Sequence, residues 1–334
     1  LLAWDGDFDC KKDTKKLIFP DKEYLRQRKG CGMMLTNEVN YEKIYANMIL
    51  VVVTVVWGGG FIATDGALDA LSPFYIMMIR FVGAAVFPLL ICWKKLRRLD
   101  RATIGHGIVT GIFLFLAFAF QTFGLKYSTP SKNAFLTATN VVFVPYLLWL
   151  LWHRRPSRKE LIASLLCIVG IALLTLKKDA LMLGFGDMLS LVCALFFALH
   201  IIALERYSAH VDTVCMTALQ MMTAGVISTI CALMLEQPPT SFNWHAAGNV
   251  AYLIFVSTLL AYLLQTFAQK FTTANSASLI LSMEALFASI FSFLLLGEVM
   301  SPQMILGACL IFSSILYIEY KPGRKKKDKQ QDIC

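Results

Sequence analysis

The residues able to do chemistry in this sequence are few, and they lie inside long apolar runs. Glu284 sits about ten residues into the run 274–296, hence near its centre if the run is helical at about 1.5 Å per residue. An ionised acid at the centre of a bilayer costs about 2.5–3.5 kcal/mol even on the lowest scales. Such a residue must face protein or water, or hold a proton. It reads as a proton-coupling group or a partner for a substrate amine; a hydrogen bond between packed helices is the structural alternative. Asn140, 144 residues earlier, both donates and accepts and suits a zwitterion or a hydroxyl. Its alternative is interhelical adhesion, worth about 0.6 kcal/mol on average. Gln121 and Gln265 have the same spacing. They read as matched gates on two faces or as interface packing, with packing the stronger reading.

Three further side chains complete the set. Arg80 is about seven residues into the run 73–93, roughly 10 Å below its end. It can snorkel outward, pair with Asp65 or Asp69, or bind an anionic group, and structural pairing is expected. Trp57 offers a stacking face for an aromatic or cationic ligand, or packs beside Gly58–Gly60. His200 falls at a similar mirrored depth. It titrates near neutral pH when exposed, but a satisfied core histidine is the expected state.

The elements that must position these residues are ten apolar runs, near 44–63, 73–93, 103–125, 130–152, 159–176, 185–204, 212–235, 247–268, 274–296 and 301–320. Each approaches the roughly 20 residues that a spanning helix needs. The connections are short and carry Pro, Gly or charge, and the alternation of a membrane barrel is absent, so helices remain as the way to satisfy backbone groups in lipid. Composition agrees. Hydrophobic residues make up 57% and charged residues 16%, against about 45–50% and 25% in soluble domains. This excludes disorder, collagen and a disulfide-stapled scaffold. The nine cysteines form no CxxC pair, and six lie inside apolar runs, so they read as small buried hydrophobes.

The net charge of +9 is gathered in short clusters between the runs and reads as orientation rather than nucleic-acid binding. With the N-terminus inside, 26 Lys and Arg fall on the cytoplasmic side and 4 outside, or 18 against 4 with residues 1–32 set aside. Both termini are then expected in the cytoplasm.

An internal repeat orders the runs. FQTFGLKYST, Phe120–Thr129, matches LQTFAQKFTT, Leu264–Thr273, at five of ten positions. Apolar bias does not explain matched Gln, Lys and Thr. The offset lays run three on run eight and run four on run nine, so each half holds five spans. An odd number inverts the second half, and inverted repeats place a site near the midplane between halves. The expected fold is an all-α membrane protein of ten transmembrane helices in two inverted five-helix repeats.

The sequence resembles the drug/metabolite transporter superfamily, EamA type. The likeness rests on WGGGF at Trp57–Phe61, SPF and IRF at Ser72–Phe74 and Ile79–Phe81, GDMLSLVCALFFAL at Gly186–Leu199, and the Glu…Gly-Glu…Gly pattern within Met283–Ile311. It covers about 44–320 and implies a ten-helix carrier of small metabolites, often an exporter. The family pattern includes an Arg at position 80 across different ligands. His200 stands where an aromatic or small residue is ordinary in the family.

The expected organisation is a cytoplasmic segment 1–43, a first five-helix repeat 44–176, a second 185–320, and a basic tail 321–334 whose Arg324–Lys327 run attracts anionic lipid. The chain starts without Met, and Met33 or Met34 reads as the true start, with a short cytoplasmic tail as the alternative. No GxxxxGK[ST], HExxH or GxSxG motif occurs, so any driving force is an ion gradient or the substrate's own. No cofactor is expected. The expected partners are a small-molecule substrate and the lipid bilayer, with a homodimer in view and no nucleic acid. The setting is the cytoplasmic membrane of a bacterium. The leading reading is a secondary carrier. A passive channel of the same fold, a lipid head-group enzyme using His153, Arg154 and Arg155, and a sensor or scaffold subunit are the competing ones.

Overall fold

The computed structural model describes residues 35–175, 184–239, 244–296 and 301–319. The segment 1–32, Lys177 and Lys178, the Gly297–Glu298 part of the family pattern and the basic tail lie outside the described residues. Every described element is helical, and the elements group into ten rods. These are α1 (Leu35–Leu68), α2 (Pro73–Leu96), α3 (Arg101–Lys126), α4a (Pro130–Ala138) with α4b (Asn140–Trp152), and α5 (Arg158–Thr175). There follow α6 (Phe185–Tyr207), α7 (Thr213–Leu235), α8a (Trp244–Tyr252) with a π-helix (Leu253–Leu260) and α8b (Ala261–Ala268), α9a (Ala274–Leu281) with α9b (Glu284–Leu296), and α10 (Pro302–Glu319). Eight rods are long and apolar enough to cross a bilayer, and Pro302–Ile318 forms a shorter apolar helix. Contacts divide the chain into Leu1–Tyr45 and Ala46–Cys334, and the packing of the spans belongs to the second unit.

The helix boundaries follow local chemistry. Pro73 and Pro130 stand at first-turn positions, where a missing N–H costs nothing. Thr129 and Thr273 cap α4a and α9a, their hydroxyls accepting from the backbone N–H of Lys132 and Ser276. These caps are 144 residues apart, as are the starts and ends of α4b and α9b. The duplication therefore reaches down to the breaks within the helices.

The rods pair as a two-fold relation between halves requires. Repeat mates α2 and α7 pack together, as do α5 and α10; α3 packs on α6, and their mates α8 and α1 also touch, Trp57 Nε1 donating to Ser257 O at 3.0 Å. The α4 and α9 rods cross, α4a against α9b and α4b against α9a. Glycine sets one close approach: a Cβ on Gly58 of α1 would lie 2.6 Å from Phe287 Cβ and 2.8 Å from Ala288 N of α9b.

The outside is apolar, and the polar side chains of the spans lie inside among apolar clusters. Leu90, Ile91, Leu150 and Leu316 are 70% or more exposed, whereas Arg80, Asn133, Asn140, His200, Gln220, Gln265 and Glu284 are buried. A soluble domain inverts that order; a membrane protein, with lipid as solvent, does not. Cys92, Cys167, Cys193 and Cys215 are buried as expected, but Cys309 lies on the apolar exterior.

Among the described residues, several polar ties between loops join connections assigned to the same side. Lys95 pairs with Asp212 at 2.6 Å, and Arg154 pairs with Glu160, which also accepts from Asn275. On the other side Lys132 pairs with Asp187, and Ser72 donates to Glu236 at 2.6 Å. Outside the spans, burial alone would lift the Asp212 carboxyl. The hydrogen bonds from Lys95 and from the backbone N–H groups of Cys215 and Val214 outweigh it and hold the group below its ordinary value.

Candidate functional site

Two cavities meet at the breaks of α4 and α9. The first is lined by Trp57, Arg80, Phe118, Gln121, Tyr262 and Glu284 among others, with Gly60, Thr64, Leu125 and Ser257 reaching toward the α1–α2 and α3–α4 turns. The second is smaller and is lined by Trp57, Asn140, Phe197, Ile201, Gln265, Leu281 and Glu284. It lies toward the α8–α9 turn. Trp57, Phe197 and Glu284 line both and form the layer between them.

Each polar residue is placed by its helix. Asn140 and Glu284 are the first residues of α4b and α9b. At the α4 break Val142 N–H bonds to Thr139 O, three residues back; at the α9 break Ala285 N–H bonds to Ser282 O. Each tightened turn releases a carbonyl from the four-residue ladder. Asn140 Nδ2 takes up Thr137 O at 3.1 Å, and its Oδ1 has no partner. Glu284 is 5% exposed, and its carboxylate has no hydrogen-bond donor among the described residues.

Arg80 does not pair with Asp65 or Asp69, both of which are exposed. Its Nε donates to Thr258 Oγ1 at 3.0 Å and its Nη2 to Ser257 Oγ at 3.5 Å, while the guanidinium lies 4.3 Å from the centre of the Phe118 ring. The reason is the π-helix Leu253–Leu260. Its wide turn brings two hydroxyls to α2, so the arginine is solvated by protein instead of by a carboxylate. Nothing in the spacing of the sequence announces a π-helix, but π-turns gather at functional sites.

The two glutamines part company. Gln121 lines the first cavity, its Nε2 donating to Thr137 Oγ1 at 3.4 Å. Gln265 lines the second, its Oε1 without a partner. Trp57 and His200, read as mirrored, also differ. Trp57 lines both cavities. His200 lines neither: it is fully buried, with Nε2 at 2.9 Å from Gln220 Oε1 and Gln220 Nε2 donating in turn to Thr266 Oγ1 at 3.0 Å. The Gln220 atom that faces the ring is an amide oxygen, which can only accept, so His200 Nε2 is the donor of that bond. His153 and Arg155 stay on the exposed α4–α5 connection, with Arg154 held by Glu160.

Tyr262 and Phe118 escaped the motif reading. Tyr262 is fully buried, 5.2 Å from the Trp57 ring and 6.1 Å from Phe118 by ring centres, with its hydroxyl unpartnered. The signal was available, since the two are 144 residues apart, three positions before the matched glutamines.

The fold and site define a polytopic membrane transport protein. The EamA-like transporter family model matches residues 44–176 and 184–320, and the chain belongs to that family. A protein named an uncharacterized transporter from Archaeoglobus fulgidus is 31% identical over 284 residues, covering 84% of this chain and 87% of the relative. The uncharacterized transporter YoaV of Bacillus subtilis is 22% identical, covering 83% and 97%. A solved crystal structure with 15% identity matches with a TM-score of 0.69, covering 82% of this chain and 96% of the other, a likeness of fold alone.

Proposed function

We propose that the protein is a secondary carrier that exports a small metabolite, amino acid or drug across the cytoplasmic membrane by alternating access. One observation carries the reading: two cavities on opposite sides of one layer share Glu284, Trp57 and Phe197. A carrier needs a central layer that either side can reach but not both at once. Rocking of one five-helix half against the other would widen one cavity while closing its counterpart.

The lining argues for an amphipathic substrate that bears charge. Trp57, Phe118, Phe197 and Tyr262 supply ring faces, and Arg80 and Glu284 supply one cation and one carboxylate in the same cavity. Glu284 is the coupling group in this reading, taking up a proton on one side and releasing it on the other. The orientation follows the Lys and Arg distribution, with both termini in the cytoplasm; the same-side loop ties fit the alternation of the spans in either orientation.

Counterflow in proteoliposomes tests the carrier: labelled substrate should accumulate against preloaded unlabelled substrate and saturate. Conductance without counterflow would make the protein a channel. Glu284→Gln protein that transports like wild type at every pH would overturn proton coupling through this residue.

A further inference from the structure

The second cavity is chemically unlike the first. Arg80 belongs to the first alone; the polar groups facing the second are oxygen acceptors or can present one. Asn140 is 4% exposed, and because its Nδ2 is committed to Thr137 O, its unpartnered Oδ1 is the end left for a ligand. Gln265 is 1% exposed and its Oε1 is likewise unpartnered. Glu284 adds a carboxylate. Leu281, the last residue of α9a, also lines this cavity, and its carbonyl loses its four-residue partner because Ala285 N–H turns to Ser282 O.

Leaving buried amide and carbonyl oxygens unpaired is unfavourable, so such atoms call for a partner. The C-terminal end of a helix such as α9a also carries a partial negative charge. Three oxygen-bearing side chains, Asn140, Gln265 and Glu284, line this one cavity beside Leu281, and a set of oxygen donors suits a hard cation. One carboxylate balances one positive charge, which selects a monovalent ion over a divalent one.

We infer that the second cavity is a sodium site built from Asn140 Oδ1, Gln265 Oε1, the Glu284 carboxylate and the Leu281 carbonyl. The ion takes the place at Glu284 that a proton otherwise holds, so its binding joins the two half-helix breaks through one centre. The inference rests on the reading of this cavity as part of the transport path. Its test measures binding alone, so a negative result leaves that reading standing.

The test is thermal unfolding of the purified full chain in sodium, potassium, choline or methylammonium chloride at equal ionic strength. A ligand held only by the folded state raises the midpoint by mass action. The expected result is a saturable rise of a few degrees in sodium over potassium and choline. Asn140→Leu, Gln265→Leu and Glu284→Gln should each lose that rise, while Asn133→Ala, a buried amide outside both cavities, should keep it. Equal midpoints in sodium and choline would overturn the site, as would a sodium shift that survives all three substitutions. A shift in methylammonium with none in sodium would also overturn it, and would assign the oxygens to a substrate amine. Should the variants fail to fold, saturable binding of radiolabelled sodium to the wild-type chain, resistant to potassium, decides the matter, and its absence rejects the site.

Discussion

The α4 and α9 breaks are built alike and equipped differently. Both rods begin at a threonine cap, both tighten by one turn near the middle, and both resume at a polar residue that starts a 13-residue half-helix. In α4 that residue is Asn140, which spends its donor on the Thr137 carbonyl. In α9 it is Glu284, which has no donor to spend, so neighbours must settle its charge. The two breaks are thus matched in position and differ in charge: one opens on an amide, the other on a carboxyl. The surrounding helices differ in the same sense. Gly58 lets α1 come hard against α9b, whereas α6 meets α4b through a cluster that includes Val144, Leu148, Ile201 and Ile202.

That asymmetry can be broken at several points. Gly58→Leu should have the largest effect. A Cβ there meets a backbone nitrogen and a Cβ, neither at the end of a flexible chain, and overpacking of this kind costs about 1–3 kcal/mol or more. Yield and thermal midpoint should fall together, while Ile202→Leu, at the corresponding place in the other half, should leave both nearly unchanged. Glu284→Gln should retain the fold and reduce transport by about tenfold, the equivalent of roughly 1.4 kcal/mol. Proteoliposome flux at several pH values should show a flattened profile.

Asn140→Ala removes a local hydrogen bond worth about 0.6 kcal/mol in membrane interiors. It should weaken transport less than Glu284→Gln does, which a side-by-side flux assay would decide. The two glutamines offer a finer test. Cysteine at 121 and cysteine at 265 should be protected from a thiol reagent by closure of opposite faces, and protection of both under one condition would sink the division into two cavities.

Outside the spans, Asp212 separates a cap from an ion pair, and the pair carries the smallest expected effect. Asp212 caps α7 by accepting from Val214 and Cys215 N–H. Asp212→Ala should cost about 1 kcal/mol as a lost cap. Asp212→Asn, which keeps the cap and loses only the Lys95 pair, should cost a few tenths at a partly exposed site. Because the folded protein holds this carboxyl below its ordinary value, its contribution is present above the unfolded pKa and disappears as pH falls through the folded one. Thermal midpoints of wild type and Asp212→Asn should therefore converge at acid pH.

Much of this was legible in the chain itself. Ten apolar runs with charged connections specify ten helices, because lipid leaves backbone groups no other partner. The 144-residue offset located the mates Asn140 and Glu284 and the mates Gln121 and Gln265, since duplication copies spacing as well as composition. What the chain did not announce depends on packing between helices. The fate of Arg80 rested on a π-turn 178 residues away that supplies Thr258. The separation of Trp57 from His200 rested on which side of its helix each presents to a neighbour: one faces the cavities, and the other a buried amide on α7. The division into two cavities rested on the crossing of α4 with α9, a contact between residues more than a hundred positions apart. Local chemistry set where each helix starts, breaks and stops; only the fold decided which polar atoms would be paired and which would be left facing space.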